Sequence, residues 1–155
     1  MAEFRRVVVT GIGTINPLGN NVGEYFDNLQ KGVSGAAPIT HFDASLFKTR
    51  FACEVKNFDP NDHFDRKEAR KYDLVTQYAL VAAAEAMNDS GIDVEKIDRE
   101  MAGVIWASGI GGLDTFYQEV KGFVEGGFVP RYSPFFIPKM IADITAGYIS
   151  IKYGF

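Results

Sequence analysis

Apolar residues along the chain fall into two patterns, and the alternation between them predicts an α/β fold. Val7-Val8-Val9-Thr10 is a β-branched run with no polar face, the signature of a strand buried on both sides. A loop dense in turn residues follows, Gly11-Ile12-Gly13-Thr14-Ile15-Asn16-Pro17-Leu18-Gly19. Asn20 or Asn21 can cap a helix reaching about Lys31, where Gly32 stops it, and Val22, Tyr25, Phe26 and Leu29 lie at helical spacing. The pattern weakens from Val33 to Phe64, apart from a short strand within Phe51–Val55 and a turn at Asp59-Pro60-Asn61-Asp62. The longest predicted helix runs from about Asp65 to Asn88, with Val75, Tyr78, Ala79, Ala82, Ala86 and Met87 in one stripe and Asp89-Ser90-Gly91 as its stop. Met101–Ala107 repeats the buried-strand pattern, ending in Ser108-Gly109-Ile110-Gly111-Gly112 and a helix from about Leu113 to Phe123. Gly126-Gly127 and Pro130 mark a loop. A mostly apolar helix then spans Ile137 to Tyr153, with Gly154 past its end. Buried-type strands followed by helices predict helices layered on a largely parallel sheet. The chain reaches Phe155 where such a unit would add another strand, so the expected fold is incomplete.

Composition narrows this only a little. At 155 residues and 46% apolar, the chain has the makings of a single packed domain. A net charge of −4 gives it no general field for nucleic acid. The single cysteine excludes a disulfide framework and multi-cysteine zinc. With no signal-type start, it points to a reducing, cytoplasmic setting. No apolar stretch is long enough to cross a membrane as a helix.

Few residues suggest chemistry. The first glycine loop resembles half of a dinucleotide fingerprint, but Asn16 stands where the third glycine belongs. The second loop, Gly109-Ile110-Gly111-Gly112, lacks the Lys-Ser/Thr of a Walker motif and reads as a tight, closely packed turn. Cys53 has Glu54 beside it, which disfavours a thiolate, and is expected to fill core. His41 and His63 have no ligand-spaced partner, and Asp59, Asp62 and Asp65 lack the rest of a calcium loop, so no metal site is expected. Arg66-Lys67-Glu68-Ala69-Arg70-Lys71 is different. On one continuous helix it stacks like charges at i,i+3 and i,i+4, which costs a few tenths of a kcal/mol per pair. Either a solvated helix start or an acidic partner accounts for it.

Arg5–Gly13 with Pro17-Leu18-Gly19, His41-Phe42-Asp43, Arg66-Lys67-Glu68 with Arg70-Lys71, Asp89-Ser90-Gly91, Ser108–Gly112, Ser133–Pro138, and Ala146-Gly147 with Tyr153-Gly154 fall in order along the whole chain. Together they resemble the elongating type II β-ketoacyl-[acyl-carrier-protein] synthase family of the thiolase-like superfamily. The resemblance implies an α/β, five-layer αβαβα architecture, usually in a homodimer, of which residues 1–155 would be the N-terminal part, ending before the nucleophile elbow. It implies a transferase of fatty acid synthesis. A cysteine takes the acyl group from acyl carrier protein, and two histidines assist decarboxylation of malonyl-carrier protein and the Claisen condensation. None of these three is matched here: Cys53, His41 and His63 do not correspond, so this chain carries no catalytic residue and is expected to be inactive alone. No cofactor is implied. Gly109 and Ile110 match the loop at the acyl pocket, with Ile110 as an apolar gate, and Phe136 and Ile137 match the segment closing its floor. Lys67, Arg70, Lys71 and Arg131 match basic positions facing the acidic carrier protein. A chain-length-factor-like partner, a carrier-binding module without catalysis, and a nucleotide-binding oxidoreductase disfavoured by Asn16 are the alternatives.

Overall fold

A computed structural model describes residues 4–155. These residues form six helices, α1 (Val22–Gln30), α2 (Arg66–Ala69), α3 (Leu74–Ser90), α4 (Leu113–Glu125), α5 (Phe136–Met140) and α6 (Ile144–Tyr153). Two short strands, β1 (Ala37–Pro38) and β2 (Phe51–Ala52), and two single 3-10 turns, Pro60–Asp62 and Arg99–Met101, complete the described elements. The chain divides into two compact units. The first runs to Phe58 and takes in Ala82–Ile92; the second comprises Asp59–Val81 and Asp93–Phe155. Helix α3 therefore gives its second half to the first unit and its first half to the second.

In the first unit the glycine loop lies directly on α3. A Cβ on Gly13 would stand 2.0 Å from the Ala82 carbonyl oxygen, and one on Gly11 2.2 Å from that of Ala86. Only glycine permits this approach of backbone to backbone. Two carboxylates of α3 then take up the loop's N–H groups. Glu85 accepts from Thr14 N–H at 2.9 Å and Val22 N–H at 2.8 Å, and Asp89 accepts from Ile12 N–H at 2.9 Å. Acidic groups already fill the positions an anionic ligand would need. Asn16 takes the Leu18 N–H at 2.8 Å and closes a tight turn with Gly19. Helix α1 starts where Asn21 accepts the Glu24 N–H and ends before Gly32, which has φ +66°. The β1–β2 pair is antiparallel, with Ala37 opposite Ala52.

The second unit holds the more deeply buried centre, made of Phe64, Ala79, Leu80 and Ile149 together with the buried polar residues Asp73, Thr76, Gln77, Thr115 and Thr145. Thr76 and Thr145, 0% and 1% exposed, share a hydroxyl hydrogen bond of 3.0 Å between α3 and α6. The Tyr72 ring stands edge-on to Tyr148 at 4.7 Å and to Phe64 at 5.6 Å.

Three expectations need correction. The helix expected over residues 65–88 is two helices. Residues 70–73 leave the α-helix, Asp73 starts α3 by accepting the Val75 N–H, and the Gln77 amide donates to the Ala69 and Tyr72 carbonyls. The final helix is likewise broken, because Ile141 is extended at ψ 139° and separates α5 from α6. Most importantly, the largely parallel sheet is not formed among the described residues, where the β1–β2 pair is the whole of the sheet. Val7–Thr10 and 102–107 form no regular secondary structure and have no ladder partners, with Val7 90% and Ile105 100% exposed. A strand apolar on both faces gains burial only between neighbouring strands and covering helices.

The threonine pair yields a test. Thr76→Val or Thr145→Val alone strands a buried hydroxyl and should cost about 1–3 kcal/mol in chemical denaturation, while the double variant should recover most of it. Single effects that simply add, within about 0.5 kcal/mol, would contradict the pairing.

Candidate functional site

The residues expected at the acyl pocket lie in the second unit, around the loop between residue 107 and α4. Ser108 opens that loop and its hydroxyl accepts the Gly111 N–H at 2.9 Å. Gly111 has φ +85°, and a Cβ there would lie 2.3 Å from the Met140 carbonyl oxygen, so the loop is pressed against the end of α5. Gly112 donates its N–H to that same carbonyl at 3.0 Å. The break after Met140 leaves this carbonyl free, and the loop uses it. Ile110 projects from the tip and is 67% exposed.

Ile110 lines an apolar hollow of about 380 Å³ with Gly112, Leu113, Phe116, Met140, Ile141 and Ala142. Phe136 reaches it indirectly, its ring stacked on Phe116 at 6.4 Å. Gly109 and Ile137 are exposed and do not line it. The structure thus puts Ile110 in the wall of the hollow and Phe136 against its Phe116, while Gly109 and Ile137 are not part of the lining. Phe136 also stacks on Tyr132 at 5.5 Å, and Tyr132 packs on Phe123 at 5.7 Å, so α4 and α5 share an aromatic seam. A hollow with these walls can take a hydrocarbon, each methylene removed from water contributing about 0.8 kcal/mol.

The basic residues are all exposed. Lys67 lies in α2, whose start is capped by Asp65 accepting the Lys67 and Glu68 N–H groups. Arg70 follows α2, and Lys71 lies beyond it, its N–H bonded to the Glu68 carbonyl. The single helical face expected for Lys67, Arg70 and Lys71 is therefore replaced by a short turn of helix and a bend. Arg131 lies apart in sequence, in a groove with Glu119, Phe123 and Tyr132 that none of the other three lines. Among the described residues, none of the four forms a salt bridge.

Cys53 is exposed, not core. Strand β2 is two residues long and ends just before it, so no strand neighbour covers the thiol. No group of three or more potential metal ligands occurs among the described residues. Glu54 beside it accepts from the Thr40 hydroxyl at 2.7 Å, and this bond holds its carboxyl below the ordinary value.

Two groups that sequence patterns did not single out organise this region. Asp73, 7% exposed, accepts a hydrogen bond from the Thr115 hydroxyl of α4. Tyr72, between the basic segment and Asp73, donates to Glu68 at 3.0 Å. Burial first, then that bond and the Glu68 charge, push the Tyr72 phenol up to about 12. The neutral phenol's contribution to stability is whole below an ordinary tyrosine pKa near 10 and is lost as pH rises to about 12. The difference in phenolate absorbance between the protein and Tyr72→Phe should therefore titrate near 12; a difference centred near 10 would contradict this environment.

Comparison with known proteins agrees with this architecture. The family model described as beta-ketoacyl synthase, N-terminal domain, matches residues 4–155. The 3-oxoacyl-[acyl-carrier-protein] synthase 2 of Staphylococcus aureus strain COL is 43% identical over 154 residues, covering 99% of this chain and 37% of that protein. The protein of the same name from Coxiella burnetii is 43% identical over 152 residues, covering 97% of this chain and 36% of that protein. The chain thus spans little more than a third of the length of these relatives. Among solved structures, a type II polyketide ketosynthase in complex with its acyl-carrier protein (AntDE:AntF) superposes with a TM-score of 0.77 at 26% identity, covering 98% of this chain and 40% of that one. The ishigamide ketosynthase/chain length factor gives 0.77 at 29% identity, covering 96% and 37%. The path of this chain is that of the thiolase-like ketosynthases, in part.

Proposed function

The chain belongs to the β-ketoacyl synthase family through that family's N-terminal domain, and we propose that the protein carrying it is a 3-oxoacyl-[acyl-carrier-protein] synthase of fatty acid synthesis. The reaction is an acyl transfer followed by decarboxylative Claisen condensation with malonyl-carrier protein, which lengthens the acyl chain by two carbons. The observation that carries this reading is 43% identity over 99% of the chain to a protein of that name. In this reading the chain supplies walls and contacts and no reacting group. Ile110 gates the apolar hollow, Phe136 backs it through Phe116, and Gly109 and Ile137 flank it. Lys67, Arg70, Lys71 and Arg131 meet the acidic carrier protein. Their exposure and lack of ion pairs among the described residues support that role, because an unpaired surface charge is free to steer an oppositely charged partner. The complex of a ketosynthase with its acyl-carrier protein among the structural neighbours supports the choice of partner. A homodimer in the cytoplasm belongs to the same reading, on the family resemblance and on the exposed aromatics Phe116, Tyr117 and Tyr132.

Charge reversal separates carrier contact from pocket. Lys67→Glu with Lys71→Glu should raise the apparent KM for acyl-carrier substrate several-fold, each contact contributing about 0.5–1 kcal/mol and weakening with salt. Turnover of a small thioester lacking the carrier should be unchanged. Equal losses on both substrates would show that the basic segment is structural.

A further inference from the structure

The loop bearing Ile110 is fastened on both sides of a free tip. Ser108 holds the Gly111 N–H on one side, and Gly112 lies among three fixed groups on the other. One is the Met140 carbonyl, which takes the Gly112 N–H. The others are the Lys139 carbonyl and the Asp73 carboxylate, which a Cβ on Gly112 would approach to 2.2 Å and 2.9 Å. Asp73 also accepts from the Thr115 hydroxyl, one residue within the first turn of α4, and from Val75 N–H at 3.2 Å. Its carboxylate is buried, lies at the positive N-terminal end of the 17-residue α3, and has no basic side chain paired with it among the described residues. A buried carboxylate costs stability unless its acceptor positions are filled, so its hold on Thr115 and its contact with Gly112 are tightly specified.

We propose that Asp73 is a positioning residue for acyl-chain length: through Thr115 and Gly112 it fixes the start of α4 and thereby the height of Ile110 over the apolar hollow. This rests on the reading of Ile110 as the gate. It also places the gate's anchor two residues after Lys71, so the segment proposed to meet the carrier leads directly into the residue that sets the pocket. Asp73 touches no reacting atom. Its effect passes through the loop and should select among acyl lengths without altering turnover of short chains.

The experiment compares Thr115→Val, Thr115→Ser and Asp73→Asn in the full protein, by hydrogen exchange and by product length. Loss of the Thr115 hydroxyl should speed amide exchange across residues 108–113 by about tenfold while leaving α6 unchanged, and Thr115→Ser should restore it to within about twofold. Thr115→Val and Asp73→Asn should shift the long-to-short product ratio, with short-chain kcat retained. Ile110→Phe serves as the control for the gate, since overpacking there should shorten the products. A flat product profile for Ile110→Phe overturns the gate reading itself. A shifted profile for Ile110→Phe beside a flat one for Thr115→Val overturns the role of Asp73, as does exchange that is unchanged or that rises uniformly along the chain.

Discussion

The constraint on which the rest depends is that α3 must be approached at backbone distance along one half and capped by a buried carboxylate at the other. Gly11 and Gly13 meet the carbonyls of Ala86 and Ala82, where any side chain would collide. Glu85 and Asp89, one turn apart, then hold the loop's N–H groups and exclude the anion that such a loop would otherwise attract. At the opposite end Asp73 and Thr76 tie α3 to α4 and α6 through hydroxyls. Ala79 and Ala82 are among the buried residues of α3.

The same helix relates the proposed contact segment to the proposed pocket, which lie some forty residues apart in the chain. Residues 66–71 precede α3, Asp73 begins it, and the loop with Ile110 passes close to Asp73 at Gly112. Polar bonds place this loop, while the hollow beneath it is apolar. That division of labour suits a site that must stay open to a hydrocarbon and still keep a defined wall. The strand-type runs at 7–10 and 102–107 show the complementary situation, apolar on both faces and without ladder partners among the described residues.

Much of the helical framework was legible. Asn21 and Gly32 bound α1 by local chemistry alone, and Gly91 and Gly154, with φ +63° and +73°, close α3 and α6 where the pattern put their ends. The two helix breaks were not legible, because no glycine or proline marks them. Residues 70–73 continue a good helical pattern, and what stops it is a carboxylate whose partner, Thr115, lies 42 residues downstream. The exposure of Cys53 escaped for the same reason: β2 stops before reaching it, and strand length depends on pairing. Of the proposed site, the charge pattern singled out the basic run at 66–71, and the resemblance alone pointed to Ile110 and Arg131. Asp73 carries no sequence signal beyond being an acid ahead of an apolar stripe, and its importance emerges only from what surrounds it.

The most direct test of this account is a structure of the full protein cross-linked to an acyl carrier protein that bears a long acyl chain. The account predicts the carrier's acidic face against Lys67, Arg70 and Lys71, and the end of the acyl chain in van der Waals contact with Ile110, at about 4–4.5 Å. An acyl chain bound away from residues 108–116, or a carrier seated on a face without these basic residues, would contradict it.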